Sequence, residues 1–442
     1  MEEKNIQNSE WHLSKYNLFG KELVDNLISC VNLMRGTYSE LSIDDVILLQ
    51  NIDNIDKDSS LFKCLVNQGI IVNFNEQEVL KSMAIRENSR VDTVKITIAV
   101  TMACNFNCPY CFEIHKPFKK MSLETEDKII QLIKKLLILN KGKKLELTWY
   151  GGEPLLASDT IKSLSNKLLP FLEKENIFYK SNIITNGYFF NQKNVDILEE
   201  AKVTKCQITL DGLKNNHDST RHLISGGPTF DVIINNLKNI KFTGQISIRH
   251  NVNEKNKEDV EKLRELIAKI SRETGNNIYY YSAILVNNPA EIRKEKVEYL
   301  NNLDKTKIGI AKDIKNFSHS KPFFCSAQGF WSYCIDNEGY LYKCWEDVGK
   351  IERSFGEINT WEPTNPFYTA TNADILTKYI NSAGIFEDLE CKECIWVPLC
   401  AGGCASKRFF CDIKCMEYKN NPDEFISKVA TMIRNRNKNN SF

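Results

Sequence analysis

No run of about 18 apolar residues, the length needed to cross a bilayer as a helix, occurs in this sequence. The opening stretch MEEKNIQNSEWHLSK also lacks the apolar core of an export signal. An excess of charge is missing too. Lys and Arg together number 58 against 57 Asp and Glu, and a net charge of +1 offers no footing for a nucleic-acid backbone or an anionic membrane surface. These absences lead us to expect a cytoplasmic protein with neither nucleic acid nor membrane as partner. With 42% hydrophobic and 26% charged residues over 442 positions, the chain is neither disordered nor fibrous in composition, and it has length for two or three domains.

Cysteine is what the sequence has in quantity. There are 15, and they cluster. In a short secreted chain such density would mean disulfides. In a long chain without an export signal it points to metal or redox chemistry in a reducing compartment. Thiolates are soft ligands that suit iron–sulfur clusters and zinc, so spacing has to separate the two.

Residues 1–90 carry no metal-like spacing. Short apolar segments at 23–33, 41–49 and 61–72, the last a helix turning at Gly69 into the strand IIVNF, predict a small helix-plus-strand module. Cys30 and Cys64 fall in its apolar stretches and are expected to be buried structural cysteines. From about residue 94 a rhythm sets in. VKITIAVT, KLELTWY, SNIITNG, KCQITLDG, QISIRHNV and NIYYYSAIL read as strands, separated by segments such as LETEDKIIQLIKKLLILNK and EDVEKLRELIAKI with apolar residues at helical spacing. Six βα units of this length predict parallel strands joined by right-handed crossovers, closed most simply as an open, partial TIM-type barrel. Chemistry in such barrels is carried at the C-terminal ends of the strands.

Just past the first of those ends comes Cys104-Asn-Phe-Asn-Cys108-Pro-Tyr-Cys111, a C-x3-C-x2-C motif. A [4Fe-4S] cluster takes four ligands, so three cysteines on one loop leave one iron open. A structural zinc site is closed and needs a fourth ligand, which His115 would supply in a Cys3His alternative. Strand two ends in Tyr150-Gly151-Gly152-Glu153-Pro154, where two glycines would let backbone come close to a ligand. Thr185-Asn186-Gly187 closes strand three, Thr209-Leu210-Asp211-Gly212 closes strand four, and Arg249 and Asn251 lie on strand five.

The three-cysteine motif, followed one βα unit later by Gly-Gly-Glu-Pro, resembles the radical SAM superfamily. The resemblance implies an AdoMet-binding [4Fe-4S] cluster on Cys104, Cys108 and Cys111, and reductive cleavage of AdoMet to a 5′-deoxyadenosyl radical. It places Tyr110 against the adenine, and Gly151, Gly152, Glu153 and Pro154 at the methionyl amine. Asn186, Thr209, Asp211, Arg249 and Asn251 become further cofactor or substrate contacts. Cys206, at the start of strand four, is expected in the core.

Past residue 310 the βα rhythm stops. Cys325 is followed by Gly339, Cys344, then Cys391-x2-Cys394-x5-Cys400-x3-Cys404, Cys411 and Cys415. These intervals resemble the SPASM domain, which implies two auxiliary [4Fe-4S] clusters. Carried over by position, the barrel-proximal one would use Cys325, Cys344 and Cys404, and the distal one Cys391, Cys394, Cys400 and a final cysteine, Cys415 or Cys411. Eight ligands are needed and the motif supplies seven, so Cys334 or Cys411 completes the proximal cluster, or that cluster keeps an open iron.

The expected architecture is therefore α/β: a winged-helix-like α+β module at 1–90, a partial (β/α)6 barrel at 91–310, and a Cys-rich SPASM domain at 311–442. SPASM-type radical SAM enzymes mostly modify peptides, and many carry a small leader-recognition module before the barrel. The resemblance thus implies a maturase of a ribosomally made precursor peptide with a leader. It would forge a thioether or carbon–carbon link, use three [4Fe-4S] clusters and AdoMet, and draw electrons from a flavodoxin or ferredoxin. An anaerobic sulfatase maturase shares both motif sets, and a zinc-stabilised binding protein is the alternative from another class. No general base is named by the sequence, with Asp211, Glu113 and His115 as candidates.

Overall fold

The computed structural model describes residues 10–24, 26–113, 117–284, 325–381, 384–410, 415 and 417–439. His115 and Cys411 lie outside them. The described chain forms two compact units. One joins the residues up to Asn88 with those from 384 onward, and the other joins 89–284 with Cys325–Asn381.

In the first unit, the two-residue strand β1 (His12–Leu13) pairs antiparallel with β5 (Ile71–Val72), while β2 (Asn17–Val24), β3 (Leu27–Asn32) and β4 (Thr37–Ser42) form an antiparallel sheet in the order β2-β3-β4. Helices Ile43–Leu48, Ser60–Gln68 and Glu76–Asn88 follow. Gly69, at φ 75°, is the left-handed cap that turns the second helix towards β5, as the sequence anticipates. Cys30 is buried, but Cys64 is exposed, contrary to expectation. The helix Ser60–Gln68 turns Phe62 and Leu65 into the core, and position 64 falls on its solvent side. The helix Pro422–Asn439 packs across β2 and β3, with Ile426 over Gly20.

The second unit is built on a nine-stranded sheet. Its core is six parallel strands in sequence order: β6 (Thr93–Thr101), β7 (Lys144–Gly151), β8 (Phe178–Thr185), β9 (Val203–Leu210), β10 (Gln245–Val252) and β11 (Asn277–Ile284). Each lies within a few residues of its expected place, and the sheet is that of a partial TIM-type barrel. On β10 the alternation is plain. Ile246, Ile248 and His250 are buried while Gln245, Ser247 and Arg249 are half-buried, so one face packs under helices and the other carries polar groups. Beyond β6 the sheet continues into β12 (Ser332–Ile335), parallel to β6, and then antiparallel into β13 (Tyr340–Tyr342) and β14 (Gly356–Glu357). The residues after the barrel therefore extend its sheet. The helix Leu123–Asn140 starts at Ser122, whose hydroxyl accepts the Thr125 N–H at 3.0 Å, and buries Ile129, Ile133, Leu136 and Leu137.

Candidate active site

The loop carrying Cys104, Cys108 and Cys111 leaves β6 and is held from two sides. Its Asn107 N–H donates to the His222 carbonyl at 3.0 Å, and the Ile224 N–H donates to the Asn105 carbonyl at 2.9 Å. The end of β7 holds it on the other side: Gly152 N–H donates to Thr101 O at 3.0 Å and Glu153 N–H to Ala103 O at 2.9 Å. Here the need for two glycines becomes physical. A Cβ on Gly151, at φ +119°, would sit 2.1 Å from the Thr101 carbonyl oxygen, and one on Gly152 would sit 2.4 Å from that of Ala103. The close approach is to the cluster loop's own backbone.

Glu153 is fully buried and works as a staple. One carboxylate oxygen accepts the Leu155 N–H at 3.0 Å and the Thr185 hydroxyl at 2.7 Å, and the other accepts the Asn186 N–H at 2.7 Å. Burial raises its pKa, and these donors oppose the rise. Asn186 then reaches back to the loop, donating from Nδ2 to Asn105 Oδ1 at 2.8 Å and lying 3.8 Å from the Cys104 sulfur.

A second network closes over Tyr110. Its hydroxyl donates to Asp211, which also accepts from the Thr220 hydroxyl at 2.8 Å and from Asn251 Nδ2 at 3.3 Å. Arg221 Nη1 donates to the Tyr110 oxygen at 3.0 Å, and the guanidinium lies over the Phe106 ring, 5.6 Å from its centroid. Burial opposes the Arg221 charge, but Tyr110, Cys108 and Asp211 hold it firmly protonated. Arg249 donates from Nε to Asn251 Oδ1 at 3.0 Å, and Thr209 sits beside it in register on β9. The structure thus gathers Cys104, Cys108, Cys111, Tyr110, Glu153, Asn186, Asp211 and Asn251 at the C-terminal ends of β6 to β10. Pro154 opens the short helix behind them. Sequence reasoning missed Arg221. It sits in a polar stretch, STRH, with no periodicity or motif spacing to single it out.

Three buried polar atoms around this loop have no partner among the described residues: Asn105 Nδ2, Arg221 Nε and Glu113 Oε2. Unpaired buried donors and acceptors are rare and mark a place for a polar group, so these residues fit a charged cofactor. Burial pushes the Cys104 thiol up to about 12 and the Cys111 thiol to about 11. A metal's charge is needed to draw out their thiolates. Among the described residues, no three His, Cys, Asp or Glu side chains gather closely enough to hold a single metal ion. Glu113, within the reach of Tyr150, has its pKa raised to about 7, chiefly by burial.

Cys325, Cys334 and Cys344 all belong to the same unit, near enough that each burdens the ionisation of the next. Cys334 is on β12, buried in an apolar cluster with Ala99, Met102, Tyr150, Tyr342 and Val348. Cys206 is buried, as expected.

In the first unit, Cys391, Cys394, Cys400 and Cys415 line one pocket with Trp396, Val397 and Lys419. Two cations face its sulfurs. Arg408 donates from Nη1 to the Cys391 sulfur at 3.1 Å and from Nη2 to Asp388 at 2.8 Å, and Lys419 Nζ stands 3.6 Å from the Cys415 sulfur. Four sulfurs around a pocket with donors aimed at two of them fit a cluster carrying thiolate charge. Cys404 is exposed.

Comparison with known proteins agrees with this arrangement. Residues 98–267 match the Radical SAM superfamily. The chain is 26% identical over 334 residues to a cysteine-type anaerobic sulfatase-maturating enzyme of Clostridium novyi, covering 68% of this chain and 84% of that one. It is 25% identical over 177 residues to the sporulation killing factor maturation protein SkfB of Bacillus subtilis, covering 40% of each. In fold it is similar to anSMEcpe with bound AdoMet, at a TM-score of 0.57 and 19% identity, over 78% of this chain and 99% of that one. No helix among the described residues is long and apolar enough to cross a membrane.

Proposed function

We propose, for an enzyme that carries a radical SAM domain over residues 98–267, that it matures a ribosomally synthesised precursor peptide by installing a thioether or carbon–carbon cross-link. The observation that carries this reading is the N-terminal sheet. Its outer strands β2 and β4 each pair with β3 alone among the described residues, which suits capture of a leader by strand addition. SkfB, by its name the maturation protein of a sporulation killing factor, supports the same class.

When bound, the cluster and AdoMet supply a 5′-deoxyadenosyl radical. Cys104, Cys108 and Cys111 would hold the iron, leaving one position for AdoMet. Glu153 and Asn186 fix the loop that carries these cysteines, and the Tyr110–Asp211–Asn251–Arg221 network fixes its outer turn. The cysteines from 325 to 415 would hold two auxiliary clusters, suited to accept the second electron that a cross-link releases. A flavodoxin or ferredoxin in the cytoplasm would supply the first.

The test is anaerobic reconstitution, an iron count, and incubation with AdoMet and any short peptide found encoded beside the gene. About twelve irons per chain, as three four-iron clusters require, with 5′-deoxyadenosine and a peptide lighter by two hydrogens, is the expected result. Full clusters without AdoMet cleavage would overturn it.

A second reading, sulfatase maturation, is favoured by the match covering 84% of the Clostridium enzyme. Conversion of a cysteine or serine in a sulfatase-derived peptide to formylglycine, with the precursor left untouched, would establish it instead.

A further inference from the structure

The distal cysteine pocket has a neighbour that the proposed chemistry leaves idle. Between Cys391 and Cys394 the chain turns through Lys392 and Glu393, and two side chains from the opposite end of the sequence grip that turn. Gln77 Nε2 donates to the Lys392 carbonyl at 2.8 Å and lies 3.4 Å from Glu393 Oε1. Lys15 Nζ donates to the same carbonyl at 3.2 Å and pairs with Glu393 at 3.8 Å.

Both side chains start from a fixed backbone. The Lys15 N–H donates to Glu76 Oε2 at 3.0 Å, and the Ser14 hydroxyl donates to the other oxygen of that carboxylate, which is 5% exposed. Gln77 lies in the first turn of the helix Glu76–Asn88, where Asn75 Oδ1 accepts its N–H at 3.1 Å. The cysteine side of the turn is fixed as well. Cys391 N–H donates to Asp388 Oδ1 at 3.0 Å, and Cys394 N–H donates to the Cys391 carbonyl at 3.0 Å. Backbone bonds close the turn as well, the Lys392 N–H donating to the Asp388 carbonyl at 2.8 Å, and Lys15 and Gln77 are the side chains that grip it from the N-terminal segment.

We propose that Lys15 and Gln77 are positioning residues for the iron–sulfur cluster of the distal cysteines: they fix the Cys391–Cys394 turn, and Lys15 offsets the Glu393 charge beside it. The inference rests on reading Cys391, Cys394, Cys400 and Cys415 as a cluster site. The potential of such a cluster follows the charge and hydrogen bonding around its sulfurs, and groups behind metal ligands govern how tightly the metal is kept. Without Lys15, the Glu393 carboxylate on the turn between Cys391 and Cys394 is left unneutralised and disfavours the added electron. The effect is modest, because Glu393 is 72% exposed and water screens it.

The test uses full-length, anaerobically reconstituted protein. At the wild-type midpoint, EPR-monitored titration of Lys15→Ala/Gln77→Ala should show the reduced-to-oxidised ratio of the distal cluster lowered about threefold. Its iron should pass to bathophenanthroline at least about threefold faster, from an unchanged starting iron content. Lys15→Arg should restore the ratio, which a merely structural role would not require. Should the double variant fail to fold, Glu393→Gln, a change at an exposed side chain, should move the ratio the opposite way. An unchanged ratio and unchanged iron loss in these variants would overturn the proposal. Cys394→Ala identifies the signal: if it keeps every iron and every EPR feature, the cluster reading itself is wrong, and the positioning role goes with it.

Discussion

Arg221 Nη1 donates to the Tyr110 hydroxyl at 3.0 Å across 111 positions of sequence, and that hydroxyl passes its own proton's bond to Asp211. A buried cation, a phenol and a carboxylate therefore lock the residue between Cys108 and Cys111 to the end of β9.

Removing the cation while leaving its partners should be severe. Arg221→Met is expected to destabilise the second unit by about 3–5 kcal/mol, the usual result of breaking one side of a buried charge network. Arg221→Lys, which keeps charge but not the planar fork, should fall between. Denaturant melts under anaerobic conditions and iron per chain would show both.

Gly151→Ala and Gly152→Ala should each fail for a backbone reason. A methyl 2.1 or 2.4 Å from a carbonyl oxygen forces β7 away from the cluster loop. The strain is on the order of 1–3 kcal/mol before any relaxation, and a lower Tm should come with weakened cluster retention.

Glu153→Gln keeps the shape but turns an acceptor into a donor facing donors. A loss of about 1–3 kcal/mol follows from the unsatisfied contact, and slackening of Asn186 should lower AdoMet cleavage about tenfold or more. Stability and 5′-deoxyadenosine yield should fall together.

His250 carries a pH signature. Burial pulls its pKa from 6.5 down to about 4, with Asp259 opposing, and its Nε2 has no partner among the described residues. The unfolded chain binds the proton more readily, so this group's contribution is whole above pH 6.5 and is lost as pH falls towards 4, at about 1.4 kcal/mol per pH unit. His250→Gln should flatten that part of the Tm–pH curve.

The barrel was legible because its strands repeat one pattern, runs of β-branched and aromatic residues, and four of the six, β7 to β10, end at or just before a Gly, Asn or Asp. The loop after β6 stood out because three cysteines at fixed spacing leave few other meanings. Cys64 misled because an apolar window does not say which side of a helix a residue takes. Arg221 was invisible because its meaning lies in Tyr110, Phe106 and Asp211, all distant in sequence. β12 was missed for a similar reason: SYCI is too short to announce itself, and only its pairing with Lys95–Ile98 makes it a strand.

The helix Pro422–Asn439 lies over β2 and β3, and Arg434 donates to Glu40 from Nε at 3.0 Å and from Nη2 at 2.6 Å. A ribosome delivers residues in order, at about 5–20 per second. The first 88 residues therefore wait roughly 20–70 s for the segment that covers them, with one face of their sheet bare. Nascent chains stalled or truncated before residue 422 should present that face to chaperones and proteases, so the sheet of β2, β3 and β4 becomes stable only when the helix Pro422–Asn439 has been made.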